Sequence, residues 1–230
     1  MMKYENRYGF CYTPDLDVDV LGCSLSGGAD SAILTYLIAK DIIDSNSYTR
    51  ILPFTRERPY PQPFPKNWNI WRSRLVIDKI RELLGKNVFL YHFIDPQPKN
   101  QSEKQTPEQE KEHIRDLHRR LAENSVGTFK FVYGVTANPP EIEMIKHNFL
   151  TKWRVIDRDK IKDKPMPSRP FDCVDKRFVA ELYKQTNTLE TLFPVTYSCE
   201  GMHDVTDNYQ NHCGKCWWCK ERYWAFGRYV

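Results

Sequence analysis

Apolar residues along the chain alternate between short continuous runs and runs spaced every three to four positions. The short runs predict strands at 18–25, 50–54, 87–93 and 128–135. The helical spacing predicts helices at 32–40, 68–84, 108–124, 139–150 and 174–184. Strands that alternate with helices favour a parallel sheet with right-handed crossovers. The predicted fold class is therefore α/β, with an open, doubly wound parallel sheet.

The loop after the first predicted strand carries the clearest chemical signal. Residues 24–31 are Ser-Leu-Ser-Gly-Gly-Ala-Asp-Ser, a small-residue turn that leads into a helix. Unpaired N–H groups and the positive end of the helix dipole converge at such a turn, and Gly27 and Gly28 let phosphate oxygens approach the backbone. Ser26 and Ser31 add hydroxyl donors, and Asp30 can cap the helix or help to hold Mg²⁺. The loop is neither a Walker loop nor a dinucleotide fingerprint.

A second signal lies near the other end of the chain. Cys199, Cys213, Cys216 and Cys219 offer four thiolates at spacings that fit a structural, tetrahedral zinc ion. His203 and His212 are alternatives for one thiolate, and a [4Fe–4S] cluster or an unliganded set of thiols stays open. Cys23 and Cys173 lie outside this spacing and are expected to be small buried hydrophobic residues.

Composition sets wide limits on the function. The chain has 230 residues, 40% of them hydrophobic, which predicts one domain with a small appendage. A net charge of +4 permits an anionic small molecule or RNA without requiring either. No apolar run reaches membrane-spanning length, so we expect a cytoplasmic protein without a membrane partner.

The glycine-containing loop and the four cysteines together resemble motifs of a known group of enzymes. The string Ser-Gly-Gly-x-Asp-Ser after a strand resembles the pyrophosphate-binding loop of the N-type ATP pyrophosphatase (PP-loop) superfamily. With the four cysteines, it resembles the 7-cyano-7-deazaguanine synthase family of the queuosine pathway. Further segments resemble that family in the same order, at 134–138, 170–179 and 196–199.

The resemblance implies an adenine nucleotide α-hydrolase-like domain over 1–165 and a helical, zinc-binding subdomain over 166–230. It implies ATP, Mg²⁺ and Zn²⁺ as cofactors, a small carboxylate and ammonia as substrates, and a homodimer. In that family the carboxylate of 7-carboxy-7-deazaguanine is adenylated, ammonia displaces AMP, and a second activation gives the nitrile.

The loop and the resemblance together nominate the site residues. Catalytic roles are expected for Ser26, Asp30, Ser31 and Lys176, and metal ligation for the four cysteines named above. The residues expected to bind the nucleotide are Ser24, Leu25, Ser26, Gly27, Gly28, Ala29, Asp30, Ser31, Phe54 and Gly134.

The chain departs from the family where the acceptor would bind. The family's Asp-Tyr-Gly-Gln-Arg-like run is replaced by Phe-Thr-Arg-Glu-Arg at 54–58, and its arginine-containing stretch by 139–142. Arg56 and Arg58 are candidates to clamp an acceptor carboxylate. A different carboxylate stays open as the acceptor. The acceptor could also be a tRNA base, in which case nucleic acid would be the partner. A third alternative is a protein that binds a nucleotide without catalysis.

Overall fold

The computed structural model describes residues 1–57, 68–96, 107–149, 165–199, 206–207 and 209–230. The strands are Lys3–Asn6 (β1), Gly9–Tyr12 (β2), Val20–Ser24 (β3), Arg50–Arg56 (β4), Phe93–Asp95 (β5) and Phe129–Tyr133 (β6). The α-helices are Ala29–Asp44 (α1), Trp68–Leu84 (α2), Pro107–Glu123 (α3), Glu141–Lys146 (α4), Lys176–Gln185 (α5) and Trp217–Phe226 (α6). A 3₁₀ turn covers Phe193–Val195.

The central sheet is parallel and has the strand order β5-β4-β3-β6. Val20 at the start of β3 pairs with Arg50 of β4 on one side and with Phe129 of β6 on the other. The chain therefore runs outward from β3 through β4 to β5 and then returns to the opposite side of β3. A crevice opens at the carboxyl ends of β3 and β6, where this reversal occurs, and such crevices hold ligands in open α/β sheets.

Apolar side chains cover both faces of the sheet. Leu21 and Ile51 point to the larger core, which includes residues of α1, α2 and α5. Val20 and Leu52, one position away on the same strands, point to a smaller core beneath α3. This alternation follows from the two-residue period of a strand. The prediction of an α/β fold with a doubly wound parallel sheet is confirmed.

The amino-terminal hairpin, β1 and β2, was not predicted from the sequence, because two four-residue strands give only a weak alternating pattern. It is held to α1 by a buried carboxylate, that of Asp41. Tyr4 Oη and Thr13 Oγ1 each donate a hydrogen bond to Asp41, both at 2.5 Å. Burial raises the pKa of Asp41, and these two hydrogen bonds oppose the shift.

Two predicted elements differ in their bounds. The third strand of the main sheet was predicted at 87–93, but β5 begins at Phe93, and a single bridge joins Phe89 to Ile51. The helix predicted at 139–150 is the shorter α4. The sequence also predicts a polar loop at 96–107 and a basic loop at 152–169, and both lie mostly outside the described residues.

The break before β5 explains how Pro53 fits inside β4. Ile51 bonds toward the 88–90 segment through both its N–H and its carbonyl. Pro53, two residues further, faces the same edge, and there the ladder is interrupted between Phe89 and Phe93. The missing N–H of the proline therefore costs no ladder hydrogen bond.

The larger core joins residues from both sides of the predicted boundary at 165/166. Phe178 and Leu182 of α5 pack in the same cluster as Leu21 and Ile33. The division into two domains stays a prediction. Within the described part of the chain, no helix is both long and apolar enough to cross a membrane.

Candidate functional site

The loop between β3 and α1 is held by its own serines. Ser26 N–H donates to Ser31 Oγ at 3.2 Å, and Gly28 N–H donates to Ser26 Oγ at 3.3 Å. Ser31 Oγ in turn donates to the Gly28 carbonyl at 3.1 Å. Gly27 has a φ of +76°, and a Cβ there would lie 2.7 Å from Arg72 Cβ. The turn therefore requires glycine at 27, and the two hydroxyls predicted as ligand donors also set the shape of the loop.

This loop borders a cavity of about 240 Å³ at the crevice between β3 and β6. The predicted site residues that line it are Ser24, Ser26, Gly28, Ala29, Asp30, Ser31, Gly134 and Lys176. Ala29, Asp30 and Ser31 form the first turn of α1, whose N–H groups have no partner within the helix. The cavity therefore faces the positive end of the α1 dipole.

Three residues predicted to bind the nucleotide do not line the cavity. Leu25 and Phe54 are buried in the core, where Leu25 N–H donates to the Phe54 carbonyl at 2.9 Å. The Phe54 ring packs edge-to-face on Phe131 and Tyr133. Gly27 shapes the turn on the side that packs against Arg72. The structure thus gives these residues supporting positions, because their backbone atoms hold the loop.

A buried group of charges lies at the floor of the cavity. Lys176 Nζ is 2.6 Å from Asp30 Oδ2 and 3.4 Å from Glu221 Oε2. The three side chains are 5%, 11% and 0% exposed, respectively. Lys176 is the first residue of α5, where a cation opposes the helix dipole, and these two anions account for its presence.

The other oxygen of Asp30 stands apart from this group. Asp30 Oδ1 is buried and has no hydrogen-bond partner among the described residues. Two carboxylates thus face one ammonium, and the positive charge of the buried Arg222 also acts on Asp30. A buried carboxylate oxygen without a donor is costly, and it is the kind of ligand that Mg²⁺ takes together with phosphate oxygens.

The β6 side of the cavity is closed by a tight backbone approach. A Cβ on Gly134 would lie 2.9 Å from Ser31 Cα, so this position needs glycine. The neighbouring Tyr133 also lines the cavity, and its hydroxyl hydrogen-bonds to His118 Nε2. Burial raises the pKa of Tyr133 to about 12, against the opposing positive charges of Arg169 and Arg56.

The remaining wall comes from residues that sequence reasoning did not assign to the site. Tyr197 N–H donates to the Gly27 carbonyl at 2.8 Å, and Ser198 and Trp218 line the cavity beside it. Trp68 packs edge-to-face on Tyr197, with ring centroids 5.0 Å apart. The Trp68 indole N–H is buried without a hydrogen-bond partner in the described part of the chain. Trp68 carried only a helix-core signal in the sequence, and 197–198 were singled out only as part of the family-like segment 196–199.

The four predicted cysteine ligands come together around α6. The sulfurs of Cys199, Cys213, Cys216 and Cys219 all lie within 4.8 Å of one another. Backbone N–H groups point at them: Cys213 N–H donates to Cys199 Sγ at 3.3 Å, and Cys219 N–H to Cys216 Sγ at 3.4 Å. The neighbouring sulfurs and burial raise the pKa of Cys219, so four thiolates need a cation between them. The cluster can therefore hold a metal ion.

The other candidate ligands do not join this cluster. The ring of His212 lies between those of Tyr197 and Tyr229, at 4.7 and 5.3 Å, and burial lowers its pKa to about 3. His203 and Arg58 lie outside the described residues. Cys23 is buried as expected, whereas the expectation for Cys173 was wrong, because it is only half-buried and donates to Asp172 Oδ1.

Comparisons with known proteins give little beyond this geometry. No protein-family model and no curated protein sequence matches the chain. The U34-tRNA thiolase NcsA from Methanococcus maripaludis, with its [4Fe-4S] cluster, is 14% identical, with a TM-score of 0.43 over 90% of this chain and 70% of that one. NAD+ synthetase from Burkholderia pseudomallei is 16% identical, with a TM-score of 0.36 over 85% and 74%. Likenesses this low carry no argument about function.

The convergence of the four sulfurs gives a direct prediction. The purified protein should hold about one metal ion per chain, because four thiolates close a tetrahedral site. Cys216→Ser should lose most of that metal, and Cys173→Ser, outside the cluster, should retain it. Elemental mass spectrometry of the three proteins measures this. A metal-free wild type, or full occupancy in Cys216→Ser, would contradict the assignment.

Proposed function

We propose that the chain is an ATP-dependent ligase that adenylates a small carboxylate and joins it to ammonia. The observation that carries the proposal is the convergence of the α1 first turn, Lys176 and Asp30 on one cavity at the carboxyl ends of β3 and β6. Backbone donors, a buried ammonium and a carboxylate are the groups that hold a polyphosphate and its metal ion.

The phosphate end of ATP would lie against the first turn of α1. The N–H groups of 29–31 and the helix dipole would face the phosphate oxygens. Two carboxylates already lie at the cavity floor, so a triphosphate needs an accompanying cation. Asp30 Oδ1 is the candidate ligand for Mg²⁺, because it is buried and no described donor satisfies it. Lys176 would then neutralise a phosphate oxygen.

The chemistry needs positioning and charge stabilisation rather than a protein nucleophile. A carboxylate oxygen attacks the α-phosphorus, the bond to the β-phosphate oxygen breaks, and pyrophosphate leaves with the electron pair. The nitrogen of ammonia then attacks the acyl carbon, AMP leaves, and a proton passes to solvent to give the amide. A second ATP can adenylate the amide oxygen, and loss of AMP and two N–H protons gives the nitrile.

The acceptor would lie on the Tyr133 side of the cavity. The positive charges of Arg56 and Arg169 act on the Tyr133 hydroxyl. Because Arg56 is paired with Asp95 at 3.6 Å, Arg169 is the candidate partner for an anionic acceptor. Trp68 and Trp218 add aromatic surface, and the described residues offer no acceptor to the Trp68 indole N–H, which suits a flat heterocycle with an acceptor group. 7-Carboxy-7-deazaguanine, the acid implied by the sequence resemblance, has both features, and we propose it as the acceptor.

Zinc is the metal proposed for the four cysteines. A tetrahedral ion with bonds of about 2.3 Å places sulfurs roughly 3.8 Å apart. The Cys213 and Cys219 sulfurs are 3.9 Å apart. A [4Fe–4S] cluster binds each thiolate to a different iron and would hold the sulfurs farther apart. The compact group therefore favours a single structural ion.

The described cysteines favour the ligase over a tRNA thiolase that works through a cysteine. No cysteine is among the described residues that line the cavity. Cys11 is fully buried, and burial raises the pKa of its thiol to about 12. Burial also raises the pKa of Cys23. Neither thiol can supply a thiolate to a nucleic-acid substrate at neutral pH.

The direct test incubates the pure protein with ATP, Mg²⁺, ammonium and 7-carboxy-7-deazaguanine. AMP and pyrophosphate should form only when the acid is present, with a product mass of the amide or the nitrile. Pyrophosphate release with another acid but not this one would reassign the acceptor. ATP that binds and stays intact with every acid tried would refute the ligase and favour a nucleotide-binding protein without catalysis.

A substitution at Gly28 should separate phosphate binding from folding. Gly28 has a φ of −83°, which alanine adopts, and an added Cβ would meet only Ser26 Oγ, at 3.2 Å, closely. That Cβ would project at the cavity wall where a phosphate oxygen must approach. Gly28→Ala should weaken binding of Mg·ATP about tenfold or more, measured by calorimetry, with little change in melting temperature.

Two controls define this result. Gly134→Ala should lower both binding and stability, because its Cβ would clash with the backbone of Ser31. Val126→Ala, at a side chain 91% exposed, should change neither. Unchanged affinity in Gly28→Ala would place the phosphates elsewhere.

A further inference from the structure

Helix α6 connects the four-cysteine cluster to the floor of the phosphate cavity. Cys216 caps the helix, and Cys219 lies in its first turn. Glu221 and Arg222 follow within one turn and are 0% and 1% exposed. A helix fixes the relative positions of residues this close, so the place of the cysteines sets the place of both charged side chains.

Glu221 reaches the cavity through Lys176. Its carboxylate lies 3.4 Å from Lys176 Nζ, on which Asp30 also converges at 2.6 Å. If Asp30 is drawn to a metal ion on the phosphates, Glu221 remains as an anion that holds the ammonium beneath them. A buried ammonium needs such a partner, because it has lost its hydration.

Arg222 reaches the same cavity by a second route. Its Nη1 donates to Ser198 Oγ at 3.2 Å, and its Nη2 to Thr196 Oγ1 at 2.8 Å. Its Nε donates to the Tyr229 carbonyl at 2.7 Å. The segment 196–198 that it holds is bonded to the phosphate loop, since Tyr197 N–H donates to the Gly27 carbonyl. Glu221 and Arg222 thus support the floor and one wall of the same cavity.

We propose that Glu221 and Arg222 are positioning residues through which the metal-bound cysteine cluster orders the phosphate cavity, Glu221 acting on Lys176 and Arg222 on residues 196–198. The proposal rests on the proposed function, in that the cavity holds the phosphates of a nucleotide. It assigns the cysteine cluster a role beyond stability, because the cluster fixes the helix that carries both residues.

Coupling of this kind must act in both directions. If the metal cluster orders the phosphate cavity, then a nucleotide in the cavity must raise the affinity of the cluster for its metal, and we expect the tighter binding to slow loss of the metal. Zinc release to a chromogenic chelator measures this without any catalytic turnover. Mg²⁺ with α,β-methylene-ATP should slow the release from the wild-type protein, and AMP at the same concentration should slow it less.

Glu221→Gln tests the proposal at one residue. The amide keeps the shape of the side chain and removes its charge, so zinc content should stay near that of the wild type, while the melting temperature should fall because Lys176 loses one of its two anions. Binding of Mg·ATP should weaken about tenfold, the loss expected for one charge-assisted contact. The nucleotide should no longer slow zinc release. Lys220→Gln is the matched control, because Lys220 is adjacent but bonds outward to the Asn148 carbonyl, and it should match the wild type.

The outcomes separate the two claims. Wild-type affinity and wild-type protection of zinc in Glu221→Gln would overturn the coupling and leave the ligase proposal intact. Zinc release from the wild type that is indifferent to bound nucleotide would also overturn it, even if Glu221→Gln failed to fold. Absence of any nucleotide binding to the wild type would overturn the proposed function and the coupling with it.

Discussion

A buried ammonium group is the constraint on which this structure depends. Lys176 lies at the amino end of α5, away from solvent, and is tolerated there only because Asp30 and Glu221 surround it. Those partners belong to α1 and α6, so one ion group joins three helices that are distant in the sequence. The same group sets two carboxylates against one ammonium, and the described residues offer no hydrogen-bond donor to Asp30 Oδ1. In the proposed function, this cavity floor receives a metal ion together with phosphate oxygens.

The parts of the site that could be predicted from the sequence are formed by residues that lie close together along the chain. A strand, a glycine turn and a helix start follow one another within 24–31, so local chemistry alone indicated the phosphate loop. The four cysteines were recognisable because two of their three intervals are short. Both predictions rest on residue types that have few other uses in such spacing, and the structure brings each set together.

The parts that sequence reasoning missed depend on contacts between distant segments. Glu221 and Arg222 look like ordinary charged residues of a surface helix, and only the fold reveals that both are buried. Phe54 lies beside the loop in the sheet, yet its side chain points to the opposite face, beneath α3. Strand β5 pairs with β4 only from Phe54 onward, directly after Pro53. The residue pattern of one strand alone does not show where its pairing with a neighbour begins. Trp68 begins α2, and the spacing of apolar residues in this helix predicts that its side chain is buried. The spacing does not show that the side chain borders a cavity.

The cysteine cluster and the phosphate loop form one unit in this account. The loop is bonded to 196–198, Arg222 holds that segment, and the helix carrying Arg222 starts at the cysteines. Residues 196–198 and α6 thus support the site formed by residues 24–31. In the proposed function, a metal ion in the cysteine cluster would support the phosphate site without taking part in the reaction.

The most direct measurement is a crystal structure with Mg²⁺ and α,β-methylene-ATP. The account predicts phosphate oxygens within hydrogen-bond distance of the first-turn N–H groups of α1 and of Lys176 Nζ, with the metal ion on Asp30. Phosphates bound at another surface, with the Lys176–Asp30 pair unchanged and the loop empty, would contradict it.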